Sequence, residues 1–555
     1  MKHYPRGIPH EVEVPQIPVT DLIEASIRSH GHKTALIYHG SKMSYEQLGT
    51  YIEKMASALY DLGVRKNSVA AIYLPNCPQF VISYYALQKL GAIPTAVSFL
   101  FSPREVRGQL EDSGAESIIM IDLLYQKIKP IIDELGIRRV ILSDILHFMP
   151  SFTRTLSIIL KKVPRANIPK KERPYFFEDL VKRKPVEYPP VSIDPGQDVA
   201  SILYTSGTTG AAKGTSLTHY NIVASIAQVK AASGGAFDTS THLLAYLPFS
   251  HMYGQNVIMT GGLSMGQTLV VITRPESKEL LRYIEKYKIS MLFGVPAFFR
   301  ILIEPIKRGK YDLSSLKLCA CGSDHTPQNL KDEWKQLTGA DITEGYALTE
   351  ATPATGIPVG GREKKGSVGI PLPGVMVAIA DPDEDEFAKV GELGEILVSG
   401  PQVMKGYWND GHRYPKAFAY IGGRKWLRTQ DIGYVDNDGY FYMVERKTDV
   451  IKYKGYPIFP GEVETVISEH KAIKEVAVVG IGARFPEYGQ IVKAFIVPRH
   501  DYVKSITKQD VIDWCRDKLA PYKIPKEVEF VEELPKDVFG KVVRRELRSR
   551  EDQNR

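Results

Sequence analysis

Apolar positions in SYEQLGTYIEKMASALYDLG, residues 44–63, recur at helical spacing: Tyr45, Leu48, Ile52, Met55, Ala56 and Leu59. That stripe predicts an amphipathic helix, and Gly63 stops it. SVAAIYLP then reads as a buried strand, QFVISYYALQKLG as a helix and ESIIMID as another strand. Strands alternating with helices from residue 44 to about 125 predict a parallel, doubly wound sheet. A second such stretch runs over residues 243–321, with strands near LLAYLP, TLVVI, SMLFGV and LKLCACG. From about 365 to 445 the pattern changes to short strands between glycine turns (GELGEILVSG, GYVDNDGYFYMVE), a β-rich unit. Residues 446–555 read as a smaller α+β unit, with strands near EVAVVGI and VKAFIVP and helices near EVETVISEH and KQDVIDWCRDKL. The predicted organisation is therefore a large domain over 1–445 and a small one over 446–555, joined near ERKTDVIKYKG. No repeat of fixed period interrupts it.

Composition narrows the class. A chain of 555 residues is too long for one hydrophobic core, and 24% charged residues is ordinary globular usage. No apolar run approaches the length of a membrane span, and the proline-broken N-terminus MKHYPRGIPHEVEVP lacks the apolar core of a signal peptide. Four cysteines make no disulfide framework; Cys319 and Cys321 are expected on opposite faces of a strand as buried thiols. A reducing cytoplasm fits. The net charge of +7 suits phosphate-bearing ligands or an anionic membrane surface but is too diffuse for nucleic acid. Residues 140–175 mix apolar positions with Arg154, Lys161, Lys162, Arg165, Lys170 and Lys171. They read either as a surface excursion packed on the body or as a segment resting peripherally on a membrane.

The strongest chemical signal is YTSGTTGAAKG, from Tyr204 to Gly214, directly after the apolar strand DVASIL. Its glycines let the backbone turn sharply and aim amide groups at an anion. Thr205, Ser206, Thr208 and Thr209 add hydroxyl donors among Gly207 and Gly210, and Lys213 adds a positive charge. Such a loop can wrap nucleotide phosphates and steady pyrophosphate as it leaves. It is not a Walker A loop, because Lys213 is followed by glycine.

The stretch resembles the phosphate-binding signature YTSGTTGxPKG of the adenylate-forming superfamily (acyl-CoA synthetases, peptide-synthetase adenylation domains, luciferase), with Ala212 in place of the usual proline. Four more signatures follow in the order of that family. EGYALTE resembles YGxTE: by that resemblance Gly345 and Tyr346 form the adenine site with Tyr346 stacking on the base, Thr349 touches the α-phosphate, and Glu350 holds Mg²⁺; Ala347 stands where glycine is usual. WLRTQD resembles the motif TGD, whose aspartate, here Asp431, binds both ribose hydroxyls, but Gln430 replaces the glycine. In ERKTDVIKYKG, Arg446 corresponds to the arginine that also reaches the ribose. Thr448 falls at the hinge position, and Lys452 to Gly455 form the loop that enters for thioester formation. PKDVFGK resembles PKTxxGK, so Lys541 is the catalytic lysine that neutralises charge on the attacking carboxylate and the α-phosphate. CGSDHTP takes the place of an adenine-contacting turn, from which only Gly322 carries over.

The resemblance implies an α/β fold: an N-terminal AMP-binding domain of doubly wound sheets plus a distorted β-barrel, and a small mobile α+β C-terminal domain. It implies the activation of an acid by ATP and Mg²⁺, then transfer to coenzyme A. YLPFSHMYGQ lacks the aspartate with which amino-acid-activating members pair a substrate ammonium, and His251 resembles the gate before an acyl tunnel; a packed core histidine is the plainer alternative. The N-terminal segment and the basic insert resemble long-chain fatty-acid–CoA ligases in particular. The expectation is a fatty acyl-CoA synthetase that works through an acyl-adenylate, with fatty acid, ATP and CoA as its partners and its oligomeric state left open. The alternatives are a ligase for an aryl, hydroxy or short-chain acid, an acyl-AMP ligase loading a carrier protein, and a catalytically decayed nucleotide-binding or membrane-scaffolding protein.

Overall fold

The computed structural model describes residues 4–150, 152, 168, 174–205, 213–322, 326–381, 384, 386–410, 417–454, 456–483, 489–503, 505–537 and 540–554. The chain forms two compact units. One comprises residues 1–377, 398–418 and 424–427, the other residues 378–397, 419–423 and 428–555. Part of the β-rich stretch therefore groups with the C-terminal residues.

In the first unit the predicted stripe forms helix Tyr45–Asp61 and is its buried face. Ser44 starts the helix: its hydroxyl accepts from Gln47 N at 3.1 Å while Gln47 Oε1 accepts from Ser44 N at 2.9 Å, a reciprocal cap. The unit is built on two sheets. In the eight-stranded sheet, Val69–Tyr73 lies parallel between Ile93–Ala96 and Ser117–Ile121, and Arg139–Ser143 continues beyond the latter. On the other side, Ile93–Ala96 pairs with Val199–Thr205, which folds back on Lys213–Thr218. The seven-stranded sheet runs Ile342–Glu344, Leu318–Cys321, Met291–Gly294, His242–Ala245, Thr268–Val271, Thr34–Tyr38 and Ser41–Ser44, parallel except for its last pair. Both stretches read as βα alternation thus form doubly wound sheets. Cys319 and Cys321 are both buried but share one face, with half-buried Ala320 between them, because side chains repeat every second position along a strand.

Helix Pro78–Lys89 is buried at every residue except Lys89, so apolar side chains appear on every face of it beside the buried polar Gln79, Ser83 and Gln88. It touches both sheets. Gln88 Nε2 donates to Ala200 O at 2.9 Å, and the Phe80 ring packs on Phe249 with centroids 5.4 Å apart. Just before it, Asn76 follows the central strand of the eight-stranded sheet and reaches the chain leaving the seven-stranded one. Its amide donates to Ala245 O (3.1 Å) and Leu247 O (2.9 Å), and its carbonyl accepts from Phe249 N (2.8 Å). After that segment the chain enters a nine-residue π-helix, Tyr253–Gly261. Gly254 is required there for closeness: an added Cβ would meet Pro248 O at 2.2 Å and Leu247 O at 2.6 Å.

In the second unit, Ile473–Gly482 pairs antiparallel with Gln490–Pro498, which pairs parallel with Glu527–Phe530. Val478, Val492 and Ile496 pack on one face with Val463, Ile467, Val511 and Cys515, from helices Pro460–Ser468 and Lys508–Arg516. Ala477, Val479 and Phe495 face the other way, onto Leu534 and Leu547. Burial on both faces explains why EVAVVGI is a continuous apolar run rather than an alternating one. Among the described residues no helix is long and apolar enough to cross a membrane. Of the basic 140–175 segment, residues 151, 153–167 and 169–173 lie outside the described residues.

Because the atoms facing Gly254 are backbone and cannot swing away, Gly254→Ala should destabilise the protein by about 1–3 kcal/mol. The expected result is a lower denaturation midpoint at unchanged slope; an unaltered midpoint would show that the π-helix tolerates a Cβ.

Candidate active site

Strands Val199–Thr205 and Lys213–Thr218 form a hairpin in register Leu203 with Thr215, Tyr204 with Gly214 and Thr205 with Lys213. Thr205 and Lys213 therefore stand opposite each other at the mouth of the glycine- and threonine-rich loop. The loop residues themselves, including Ser206, Gly207, Thr208, Thr209 and Gly210, lie outside the described residues. Gly214 sits in a tight corner, where a Cβ would lie 3.0–3.1 Å from Tyr204, Ile202 and Trp408.

The far edge of Lys213–Thr218 carries a short partner strand, Gly406–Tyr407, in register Gly406 with Ser216 and Tyr407 with Thr215. Trp408 N donates to Gly214 O at 2.6 Å. This pairing brings in Tyr407, which sequence reasoning missed. Lys213 Nζ lies 5.2 Å from the Tyr407 ring centroid, within cation–π range, and the Tyr407 hydroxyl donates to Glu350 Oε1 at 3.0 Å. Glu350 is held again through its backbone, its carbonyl accepting from Met404 N at 2.8 Å. The lysine and the carboxylate expected to flank the phosphates thus meet on one tyrosine. The signal in the sequence was the aromatic pair in KGYW, directly after a lysine and a glycine.

Thr349 and Glu350 occupy the turn between the short antiparallel strands Tyr346–Leu348 and Thr352–Gly356, where Thr352 adopts a left-handed φ of 50°. Tyr346 is buried on that hairpin. Gly345 N donates to Cys321 O at 3.2 Å and Gly322 N to Gly294 O at 3.1 Å, so Gly322 and Gly345 sit together at adjacent strand ends. A Cβ on Gly322 would lie 3.7 Å from Gly345 O. Glu344 anchors this corner: buried, it meets Lys331 Nζ at 2.9 Å and accepts from Thr326 N, and Lys331 also pairs with Glu363.

His251 follows the Asn76-bound segment, and its Nδ1 accepts from Tyr253 N at 3.3 Å. Enclosure by the protein lowers its pKa to about 4, so the imidazole is neutral at physiological pH. It can line an apolar channel or accept a proton, but it is not a standing cation.

In the second unit, residues 431–435 of strand Arg424–Val435 pair antiparallel with Phe441–Arg446, placing Asp431 opposite Arg446. Asp431 is buried, and Arg446 Nε lies 3.3 Å from its Oδ1. The carboxylate oxygens offer acceptor positions beside that guanidinium. Gln430, the departure from TGD, has a left-handed φ of 62°. Lys452 lies on strand Ile451–Tyr453, its N–H donating to Gln490 Oε1 at 3.0 Å, and Gly455 lies outside the described residues. At Thr448 the carbonyl accepts from Arg548 Nη1 at 3.4 Å. Lys541 closes a turn in which its N–H donates to Asp537 Oδ1 (3.0 Å), its carbonyl accepts from Asp537 N (2.8 Å), and Gly540 has φ 81°.

Residues 23–408 match the family model of AMP-binding enzymes, and residues 462–541 match that of the AMP-binding enzyme C-terminal domain. A long-chain-fatty-acid–CoA ligase of Bacillus subtilis is 35% identical over 558 residues, covering 100% of this chain and 98% of the relative. Among solved structures, ATP-bound MatB from Rhodopseudomonas palustris superposes with a TM-score of 0.83 at 24% identity, over 96% of this chain and 99% of that one, a likeness of fold. The o-succinylbenzoate coenzyme A synthetase of Bacillus subtilis in complex with ATP and magnesium gives 0.77 at 26% identity, over 95% and 98%.

Removing the Tyr407 hydroxyl leaves Glu350 without its orienting donor. Tyr407→Phe should weaken Mg·ATP binding about tenfold, as expected for one hydrogen bond to a partly exposed carboxylate, with the melting temperature unmoved. Equilibrium titration of both proteins with nucleotide at fixed Mg²⁺ measures it.

Proposed function

The chain belongs to the AMP-binding enzyme family, and on that premise we propose that it is an ATP-dependent fatty acyl-CoA synthetase, taking medium- or long-chain acids through an acyl-adenylate and releasing AMP and pyrophosphate. The observation that carries this reading is the end-to-end likeness to a long-chain-fatty-acid–CoA ligase. The convergence of Lys213 and Glu350 on Tyr407 supports its chemistry.

The substrate carboxylate is itself the nucleophile, so the protein has to supply position and counter-charge rather than a nucleophilic side chain. The loop between Thr205 and Lys213 takes the β- and γ-phosphates, with the Lys213 charge stabilising pyrophosphate as it departs. Tyr346 and the paired glycines Gly322 and Gly345 take the adenine, and Thr349 the α-phosphate. Asp431, a buried carboxylate beside Arg446, takes the ribose hydroxyls. Glu350 fits a Mg²⁺ ligand: it is a hard oxygen donor, partly exposed and oriented by a second residue, as such ions require. When bound there, the ion neutralises phosphate charge. Lys541 balances the charge that grows between the attacking carboxylate and the α-phosphate. Movement about Thr448 withdraws it and brings the loop from Lys452 to Gly455 toward the thiol of CoA. The neutral His251 gates the acyl channel. The basic 140–175 segment offers a peripheral membrane contact, supported by its mixture of lysines and apolar residues.

Pyrophosphate release assayed over acids of increasing chain length tests the reading. Activity rising from short to long chains is expected; activity with aryl acids alone, or with no acid, overturns it. Lys541→Ala should abolish adenylation while thioester formation from supplied acyl-AMP falls much less. Equal loss of both steps would reject that role for the lysine.

A further inference from the structure

Seven non-glycine residues adopt a left-handed backbone among the described residues: His39, Asn67, Lys288, Thr352, Asn409, Gln430 and Lys454. Gln430 differs from the others in sitting inside a long strand, Arg424–Val435, immediately before the buried Asp431. An L-residue at φ 62° is strained unless its surroundings hold it there, whereas glycine adopts the conformation freely.

Glu395 supplies the hold. Its side chain is fully buried on strand Gly394–Ser399, and its Oε1 accepts from both the backbone N of Gln430 (3.0 Å) and the side-chain Nε2 of Gln430 (3.2 Å). Its Oε2 meets Arg428 Nη1 at 2.8 Å, on the other side of the same turn of chain. The Gln430 carbonyl accepts from Lys447 N at 2.8 Å. Thr429 Oγ1 donates to Ile396 O at 2.6 Å and accepts from Asp431 N at 3.1 Å. Arg428, Thr429 and Gln430 itself are thus tied to one neighbouring strand, and the next position is Asp431.

We propose that Glu395 is a positioning residue for nucleotide binding: it clamps Gln430 in the left-handed conformation and thereby sets the direction in which Asp431 presents its carboxylate. The proposal rests on the reading of Asp431 as the ribose acceptor. Its physical core is an exchange of roles: the backbone freedom that glycine would provide at position 430 is replaced by a glutamine whose conformation a buried carboxylate enforces. The clamp and the glutamine are therefore interdependent, and glycine at position 430 makes the clamp dispensable for binding.

The full-length chain carries the test, with Kd for AMP by calorimetry, KM for ATP, fatty acid and CoA, and melting temperature as readouts. Glu395→Leu, which removes both acceptors at similar volume, should raise the AMP Kd and ATP KM at least tenfold, with the other two KM values within twofold. Gln430→Val should do the same with the Glu395–Arg428 pair intact, because a β-branched residue opposes a left-handed φ. Gln430→Gly should stay within threefold of the parent, and in the double variant glycine should restore AMP binding to that level while the melting temperature remains low, since the buried Glu395–Arg428 ion pair is still missing. Nucleotide affinity unaltered in Gln430→Val, a double variant as weak as Glu395→Leu, or losses shared equally by all three substrates would overturn the proposal; the Gln430→Val result stands even if Glu395→Leu fails to fold. Asp431→Asn separates the two readings. If it leaves AMP binding unaltered, the ribose assignment fails, whereas a large loss there with no rescue by glycine sinks the clamp alone.

Discussion

The larger unit depends on where one buried amide sends its hydrogen bonds. Asn76 sits beyond the end of strand Val69–Tyr73 and satisfies three backbone groups of the chain leaving the neighbouring sheet. A buried amide that lost those partners would keep its desolvation cost, so the two sheets are held in one relative register at that point. The consequence reaches the candidate site. One sheet carries the hairpin that presents Thr205 and Lys213, and the other feeds the segment containing His251. In open parallel sheets ligand-binding loops gather beyond the carboxyl ends of strands, and Asn76 joins the two sheets at that level.

Among the described residues, several buried charges are paired more than once. Lys331 with Glu344 and Glu363 fixes the corner that leads into Tyr346. In the other unit, Arg544 holds Glu464 through Nη2 at 2.7 Å and stands 3.8 Å from both Glu445 and Asp449, the carboxylates that bracket Thr448. Such clusters add little net stability over apolar packing, but breaking one partner is expensive. They define conformation more than they strengthen it.

Much of the architecture was legible from periodicity. The stripe from Tyr45 to Leu59 became the buried face of a helix, and the apolar runs became strands, because burial patterns repeat with the period of the element that carries them. The face shared by Cys319 and Cys321 was misjudged, although the two-residue period of a strand already contained the answer. Tyr407 escaped notice for a different reason. It lies far along the chain from Lys213 and Glu350, and only strand pairing makes them neighbours.

By itself the sequence determined the βα alternation, the order of the motifs and their chemical types: a glycine- and hydroxyl-rich loop with a lysine, and carboxylates and lysines in a family's succession. Local composition encodes these, since turn chemistry and hydrophobic period act over a few residues. The tertiary structure alone decided which distant groups share an environment. It lowered the pKa of His251 by burial, placed Tyr407 between a lysine and a carboxylate, and gave Gln430 a left-handed backbone conformation. Those outcomes depend on contacts between residues tens to hundreds of positions apart, and no local pattern carries that information.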